Sequence, residues 1–343
     1  MGKVSIGDVA RHAGVSPTTV SHTISGARTV SPELRRRVED AMDALGYAPS
    51  RTARNLALGV TKVIGLLVPD IANGFFAVLA KGAEQEAISR GYNIIFGNTD
   101  FDHARGLLYL EMIRSRAIDG LIYAAGSPMA PNDVTAALGG IPLVLVDEEV
   151  IDLEAATLVS DNFRGGELVA EHLSDLGHRS ALVIGANPDL PSSDLRIEGF
   201  RTRWSKVEGS EVVVVPGGFT EQGARDAMMA LRAEIERHDV TAIFAANDLM
   251  AFAAVDVLQT WGLAVPADVS VVGFDDIDAT RYSSPQLTTV RQDAAELGRT
   301  AVSMLLDALE DSTHPKPARR VLPVELVARG STGPRRDPDG GEC

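Results

Sequence analysis

Pro17, Thr18, Ser21 and His22 share one face of a helix-length segment, GVSPTTVSHTIS, which offers hydroxyls and an imidazole but no acid. The acid-free window runs from Val9 to Pro32, 24 residues in a chain where 47 of 343 are Asp or Glu. Hydroxyls and imidazole nitrogens can both donate and accept hydrogen bonds, so a face kept clear of carboxylates suits a polyanion. A second set of polar residues stands at the ends of apolar runs: Asp70, Asp147, Asp161, Asn187, Asn247 with Asp248, and Asp275 with Asp276. Arg196 follows the run SALVIGAN, and Phe75, Phe76 and Phe219 lie near other members of the set. Taken singly, each carboxylate or amide reads as a turn or helix-cap residue. Together with a guanidinium fork and aromatic faces they describe a cleft for a small, hydroxyl-rich, neutral molecule.

The elements that must position these residues are legible in the periodicity. Ser5 caps a helix with apolar Ile6, Val9, Ala10 and Ala13, Asp8 completes a capping box, and Gly14 ends it. Ser16 and Pro17 begin a second helix with Val20 and Ile24 inward and Gly26 closing it; Ser31 and Pro32 begin a third that ends at Gly46. Helix, tight turn and helix at this spacing match a helix-turn-helix, although an ordinary helical hairpin with a solvated face has the same pattern. Ser50 to Gly59, SRTARNLALG, reads either as a plain tether or as a two-turn helix that forms only on a minor groove, with Leu56 as its wedge.

From Val63 onward, apolar runs without alternation are separated by helices. The first series is VIGLLVPD, YNIIFGN, DGLIYAA, IPLVLVD and TLVSD; the second is SALVIGAN, EVVVVPGG, TAIFAAND, VSVVGFD and LTTVRQD. Such runs describe parallel strands covered on both faces, in two lobes, with ligands expected beyond the carboxyl ends of the strands.

Charge separates the two regions. Residues 1–60 hold eight Lys and Arg against five Asp and Glu, while the whole chain carries a formal charge of -15. A basic head on an acidic body brings only the head to a polyanion. The one cysteine, Cys343, leaves no internal disulfide and no thiol cluster for a metal, which suits a reducing cytoplasm. The start, MGKVSIGDVARHAGVS, lacks the apolar core of a secretory signal, and AIFAANDLMAFAAVDVL is broken by Asn247, Asp248 and Asp256, so no membrane span is expected. G-x-S-x-G, P-loop, H-E-x-x-H and G-x-G-x-x-G motifs are all missing, and no spacing singles out two carboxylates as an acid/base pair. The chain therefore reads as a non-enzyme with no cofactor and no metal.

The ordered motifs VSIGDVARHAGVSPTTVSHTISG, YAPSRTARNLA, IGLLVPDIANGFF, DGLI, VSDNFRGGELVAEHLSDLGHR, LRIEGF, AANDLMAFAAVDVL, VPADVSVVGFDD, LTTVRQD and LVARGST resemble the lactose-repressor (LacI/GalR) family of bacterial transcription regulators over nearly the whole chain. The resemblance implies a small all-α helix-turn-helix head plus an α/β body of two doubly wound parallel-sheet lobes, like type I periplasmic binding proteins. It implies a DNA-binding domain at 1–49, a hinge helix and linker at 50–60, a two-lobed effector-binding and dimerisation domain at 61–332, and a disordered tail at 333–343. Ser16, Pro17, Thr18, Ser21, His22 and Arg28 then face the DNA major groove, and Ala53, Arg54, Leu56 and Ala57 the minor groove. Phe75, Phe76, Asp147, Arg196, Phe219, Asn247 and Asp275 match effector-contacting positions.

The implied partners are double-stranded DNA with a palindromic operator, a second copy of the chain in a homodimer, and a small carbohydrate effector, in the cytoplasm and at the nucleoid. The tail GSTGPRRDPDGGEC is too short and too rich in Gly and Pro for a coiled coil, so no tetramer is expected through it. Gly74 stands where many relatives have Pro, which is expected to loosen a loop carrying the two Phe, and Pro17 offers no polar atom for base readout. Purine-responsive relatives tend to have Gly at the position of Asn247 and Arg at that of Leu190, which favours a sugar-type effector over a purine corepressor. A stand-alone sugar-binding protein of the transport type shares the body but not the basic head.

Overall fold

The structure is a computed structural model that describes residues 4–26, 28–47, 60–115, 118–186, 189–237, 240–311 and 316–335. Ser5 opens α1 (Ile6–Ala13) with the expected capping box: its hydroxyl oxygen accepts from the Asp8 N–H at 3.3 Å, and the Asp8 carboxylate accepts from the Ser5 N–H at 3.0 Å. Ser16 caps α2 (Pro17–Ser25) and Ser31 caps α3 (Pro32–Leu45). Val9, Ala10, Ala13, Val20, Val38 and Ala41 form the small core of this head. Arg37 on α3 donates to the Ala13 and Gly14 carbonyls at 2.7 and 3.2 Å, supplying donors that the end of α1 lacks.

The body contains two six-stranded sheets. The first holds β1 (Val63–Val68), β2 (Asn93–Asn98), β3 (Gly120–Tyr123), β4 (Leu143–Val146), β5 (Ala156–Ser160) and β11 (Arg319–Leu322), in the order β11-β5-β4-β3-β1-β2 and all parallel. Ile64, Leu66 and Val68 bury one face under α4 (Gly74–Ser89) and α12 (Ala294–Glu310). Leu67, Leu121 and Leu145 bury the other under α5 (His103–Ser115) and α6 (Pro131–Leu138).

The second sheet holds β6 (Ser180–Gly185), β7 (Glu211–Pro216), β8 (Ala242–Ala245), β9 (Ser270–Asp275), β10 (Thr288–Arg291) and β12 (Glu325–Val327), in the order β12-β10-β9-β8-β6-β7. Only β12 runs antiparallel to its neighbour. One face packs on α7 (Asn162–Asp175) and α8 (Pro191–Trp204), the other on α9 (Glu221–Ala230), α10 (Arg232–Glu236) and α11 (Asp248–Thr260).

The chain crosses between lobes three times: after β5, after β10, and between β11 and β12. Within each lobe one pair of helices meets backbone to backbone. A Cβ added to Gly82 of α4 would come 2.2 Å from the Ala295 carbonyl oxygen of α12. A Cβ on Gly166 of α7 would come 2.0 Å from that of Arg196 in α8. Ile277, just past β9 in the second lobe, joins the core of the first, with Leu249 and Phe252 of α11 packed against it. The lobes therefore share apolar contact around the base of the cleft.

Two expectations need correcting, and two strands went unforeseen. Phe75 and Phe76 occupy the first turn of α4 instead of a loosened loop: Asn73 caps the helix, and a Cβ on Gly74 would sit 3.3 Å from the Ile277 Cβ. The tail does not come free at 333, because Gly333 donates its N–H to the Ser270 hydroxyl and Arg335 donates its N–H to the Leu176 carbonyl. Residues 336–343 lie outside the described residues. Strands β11 and β12 were not expected, since RRVL and ELV are too short and too exposed to read as strands.

Candidate ligand cleft and nucleic-acid interface

On α2, Pro17 and Thr18 are exposed and Ser21 and His22 half-buried, while Val20 on the opposite face is fully buried. Thr18, Ser21 and His22 have no side-chain hydrogen bond among the described residues and are free to meet another molecule. Ser16 is committed to its own helix: its Oγ accepts from the Thr19 N–H at 3.0 Å and lies 2.9 Å from the Thr19 hydroxyl. Arg28 is exposed beyond the end of α2. Ala53, Arg54, Leu56 and Ala57 lie outside the described residues, as does Asn187.

Between the lobes lies a cavity that all seven expected effector residues line: Phe75, Phe76, Asp147, Arg196, Phe219, Asn247 and Asp275. The carboxyl ends of both sheets face it, as open α/β sheets require. The Phe75 and Phe76 rings meet edge to face, centroids 5.1 Å apart, and form the apolar wall of the first lobe. Asp147, Phe219 and Asp275 all adopt positive φ, at 69°, 58° and 120°. Non-glycine residues held in these regions store strain and cluster where a site demands a particular direction of the side chain.

Arg196 organises the second lobe's side. Its Nε donates to Asn162 Oδ1 at 2.8 Å and Nη1 donates to the Ala246 carbonyl at 2.5 Å; the same Nη1 stands 3.9 Å from Asp275 Oδ1. The guanidinium lies 3.8 Å from the centroid of Phe274 and 5.7 Å from that of Phe219. Asp275 Oδ1 also accepts from Gln292 Nε2 at 2.7 Å. Asn247 caps α11, accepting from the Met250 N–H at 2.8 Å and donating to the Phe219 carbonyl at 3.1 Å. An amide has further bonding capacity at each end, so these contacts leave it able to engage a ligand.

Other strand-end residues serve the fold. Asp161 caps α7, and Asp70 accepts from the Ala72 N–H in a turn. Asp248 is fully buried and braces the Thr289 hydroxyl and the Ile277 N–H. Asp276 is gripped by Arg291 and Arg329. Sequence reasoning passed over Asn73, Phe101, Glu148 and Ser192, which also line the cavity, as does Leu190. The acidic triplet at 147–149 directly after a strand, and a helix whose N-cap is Leu190, were the available signals.

Burial raises the carboxyls that face the cavity. It lifts Asp147 to about 6 against the pull of Arg196, and Asp275 to about 7. Glu148 is pushed up to about 8 by burial and by the neighbouring Asp147, against two hydrogen bonds from Ser192. An ionised carboxylate here is costly until something in the cleft compensates it. Among the described residues no group of His, Cys, Asp and Glu is arranged to hold a metal, and no helix is long and apolar enough to cross a membrane.

Residues 5–50 match the family model described as bacterial regulatory proteins, lacI family, and residues 170–332 match the periplasmic binding protein-like domain. The ribose operon repressor of Escherichia coli K12 is 34% identical over 330 residues, covering 94% of this chain and 98% of that protein. The HTH-type transcriptional repressor PurR of Aliivibrio fischeri is 33% identical, covering 96% of this chain and 99% of that protein. The lac repressor dimer bound to operator and the anti-inducer ONPF superposes with a TM-score of 0.79 at 28% identity, over 97% of this chain and 100% of that one. With a repressor matched along nearly its whole length and the head matched by its own model, the chain belongs to the lacI family of bacterial regulatory proteins.

Proposed function

We propose that the chain is a bacterial repressor that grips a palindromic operator as a homodimer and releases it when a sugar or sugar derivative fills the cleft between the lobes. One observation carries the reading of the cleft: seven residues scattered from Phe75 to Asp275 line one cavity whose chemistry is carboxylate, amide, guanidinium and aromatic. That mixture suits a ring bearing several hydroxyls, with Phe219 or Phe76 against its C–H face. The purine reading, to which the PurR relative gives a name, is disfavoured by apolar Leu190 and by Asn247 on the cavity wall.

In the head, Thr18, Ser21 and His22 read base edges while Arg28 supports the contact, and Leu56 of the hinge segment enters the minor groove. Two heads related by the dimer axis read two half-sites. A ligand that prefers the released state by about a hundredfold supplies about 2.7 kcal/mol per site, the scale of ordinary allosteric coupling. The protein acts in the cytoplasm, where its operators are.

The test is selection by the purified full chain from a random pool of duplex DNA. A palindrome should be enriched, and its affinity should fall steeply with salt as phosphate contacts release counterions. No enrichment, or binding indifferent to salt, overturns the reading.

A further inference from the structure

Helix α8 begins without a cap of its own: Leu190 stands at the N-cap and makes no side-chain hydrogen bond. The missing acceptor comes from the other lobe. Glu148, just past β4, accepts a 3.1 Å hydrogen bond from the Ser192 N–H, and its second oxygen accepts from the Ser192 hydroxyl. A carboxylate is what the unpaired N–H groups and positive end of a helix attract. Glu148 and Ser192 both line the cavity, and Glu148 is only 4% exposed, so the chain's own carboxyl already fills the helix start.

The surroundings reinforce the exclusion. Asp147 lines the same cavity, is 8% exposed, and its carboxylate has no hydrogen-bond partner among the described residues. Asp275 adds a third carboxylate. The one guanidinium, that of Arg196, already spends Nε on Asn162 and Nη1 on the Ala246 carbonyl. A ligand phosphate or carboxylate would have to displace Glu148 from both its donors and then lie against the Asp147 and Asp275 carboxyls, a like-charge juxtaposition wherever these ionise.

We propose that Glu148 determines specificity by occupying the helix start: capping α8 from the opposite lobe, it takes the donors an anion would need, closes the cleft to phosphorylated and carboxylated sugars and reserves it for polyols that are neutral or carry an amine, the amine seated against Asp147. The proposal rests on the reading of the cleft as a sugar-type effector site. It gives Glu148 a second consequence, since the same two hydrogen bonds tie the first lobe to the second.

Calorimetry on the full chain with matched probes tests it: D-ribose with D-ribose 5-phosphate, and D-glucose with D-glucosamine, D-glucose 6-phosphate and D-glucuronate. At least one neutral or amine-bearing sugar should bind, and its anionic counterpart should bind about a hundredfold more weakly or not at all. Glu148→Ala should narrow that ratio about tenfold or more by freeing the α8 N–H groups; Glu148→Gln, which keeps the size but replaces one acceptor oxygen with an amide donor, should narrow it in the same direction should the alanine variant melt too low to use. Equal binding of a sugar and its phosphate by the unaltered chain, an unchanged ratio in Glu148→Gln, or no binding by any neutral or amine-bearing probe overturns the assignment. Should the ligand-free chain still select a palindrome, such a failure strikes the charge rule alone and leaves the regulator standing.

Discussion

Gly166→Ala tests whether the close contact of α7 and α8 is what sets Arg196. An ideal Cβ at Gly166 stands 2.0 Å from the Arg196 carbonyl oxygen and 2.7 Å from the Phe200 nitrogen, where contacts under 3.0 Å essentially never occur. Both obstructing atoms belong to a helix backbone and cannot rotate away, so the helices must part by about 1 Å to reach that distance. Alanine gains about 1 kcal/mol over glycine by helix propensity, whereas overpacking costs about 1–3 kcal/mol or more. With the clash on rigid backbone the cost lies at the upper end, and the net loss is about 1–2 kcal/mol. In a protein this size that lowers Tm by about 2–4 °C per kcal/mol.

The loss of ligand affinity should exceed what the loss of stability suggests. The Arg196 bonds to Asn162 and Ala246, at 2.8 and 2.5 Å, do not survive a displacement of about 1 Å unchanged. Thermal unfolding and calorimetry with the best-bound sugar read both effects. Gly7→Ala serves as a control, since its Cβ meets only the Ser5 hydroxyl at 3.5 Å and should stabilise the head slightly. A Gly166→Ala protein that melts no lower than the original and binds ligand as tightly would refute the reasoning.

Arg196→Ala should abolish the ligand's effect on operator binding while leaving ligand-free operator affinity within about twofold, because the head is untouched; a retained response moves the site elsewhere. Ser16→Ala removes the cap of α2 and should destabilise the head by about 1 kcal/mol, seen as weaker operator binding with unchanged ligand affinity. The pH dependence of stability should expose Glu148. Its folded pKa, raised to about 8 from an ordinary 4.5, gives stability that is fully present below 4.5 and lost as pH rises through 8. Tm of the unaltered chain should therefore fall relative to Glu148→Gln across that window, and parallel curves contradict the burial of an ionisable carboxyl there.

The ten strands of the two apolar series were legible because each reads as an unbroken apolar run, eight of them covered on both faces and the edge strands β2 and β7 partly exposed. Edge strand β11 escaped notice for the opposite reason: Arg319 and Arg320 leave only two apolar residues, and its paired residues on β5, Thr157 to Ser160, lie 162 positions away. α12 is visible as a helix from its period, but its return to the first lobe depends on Gly298 meeting the Leu79 carbonyl, a contact no local pattern announces.

The cleft was legible as a list of strand-end polar residues and not as a division of labour among them. Asp147 and Asp275 face the cavity, whereas Asp248 and Asp276, each adjacent in sequence to a lining residue, brace the fold. Glu148 was missed because its partner, the start of α8, lies on the other lobe and 44 residues downstream.

Reciprocal linkage between cleft and head puts the central claim to its most direct test. The dissociation constant of the selected palindrome is measured with and without saturating sugar, and that of the sugar with and without saturating palindrome. The account predicts weakening by one and the same factor in both directions. A sugar that binds the cleft tightly while operator affinity stays constant would contradict it.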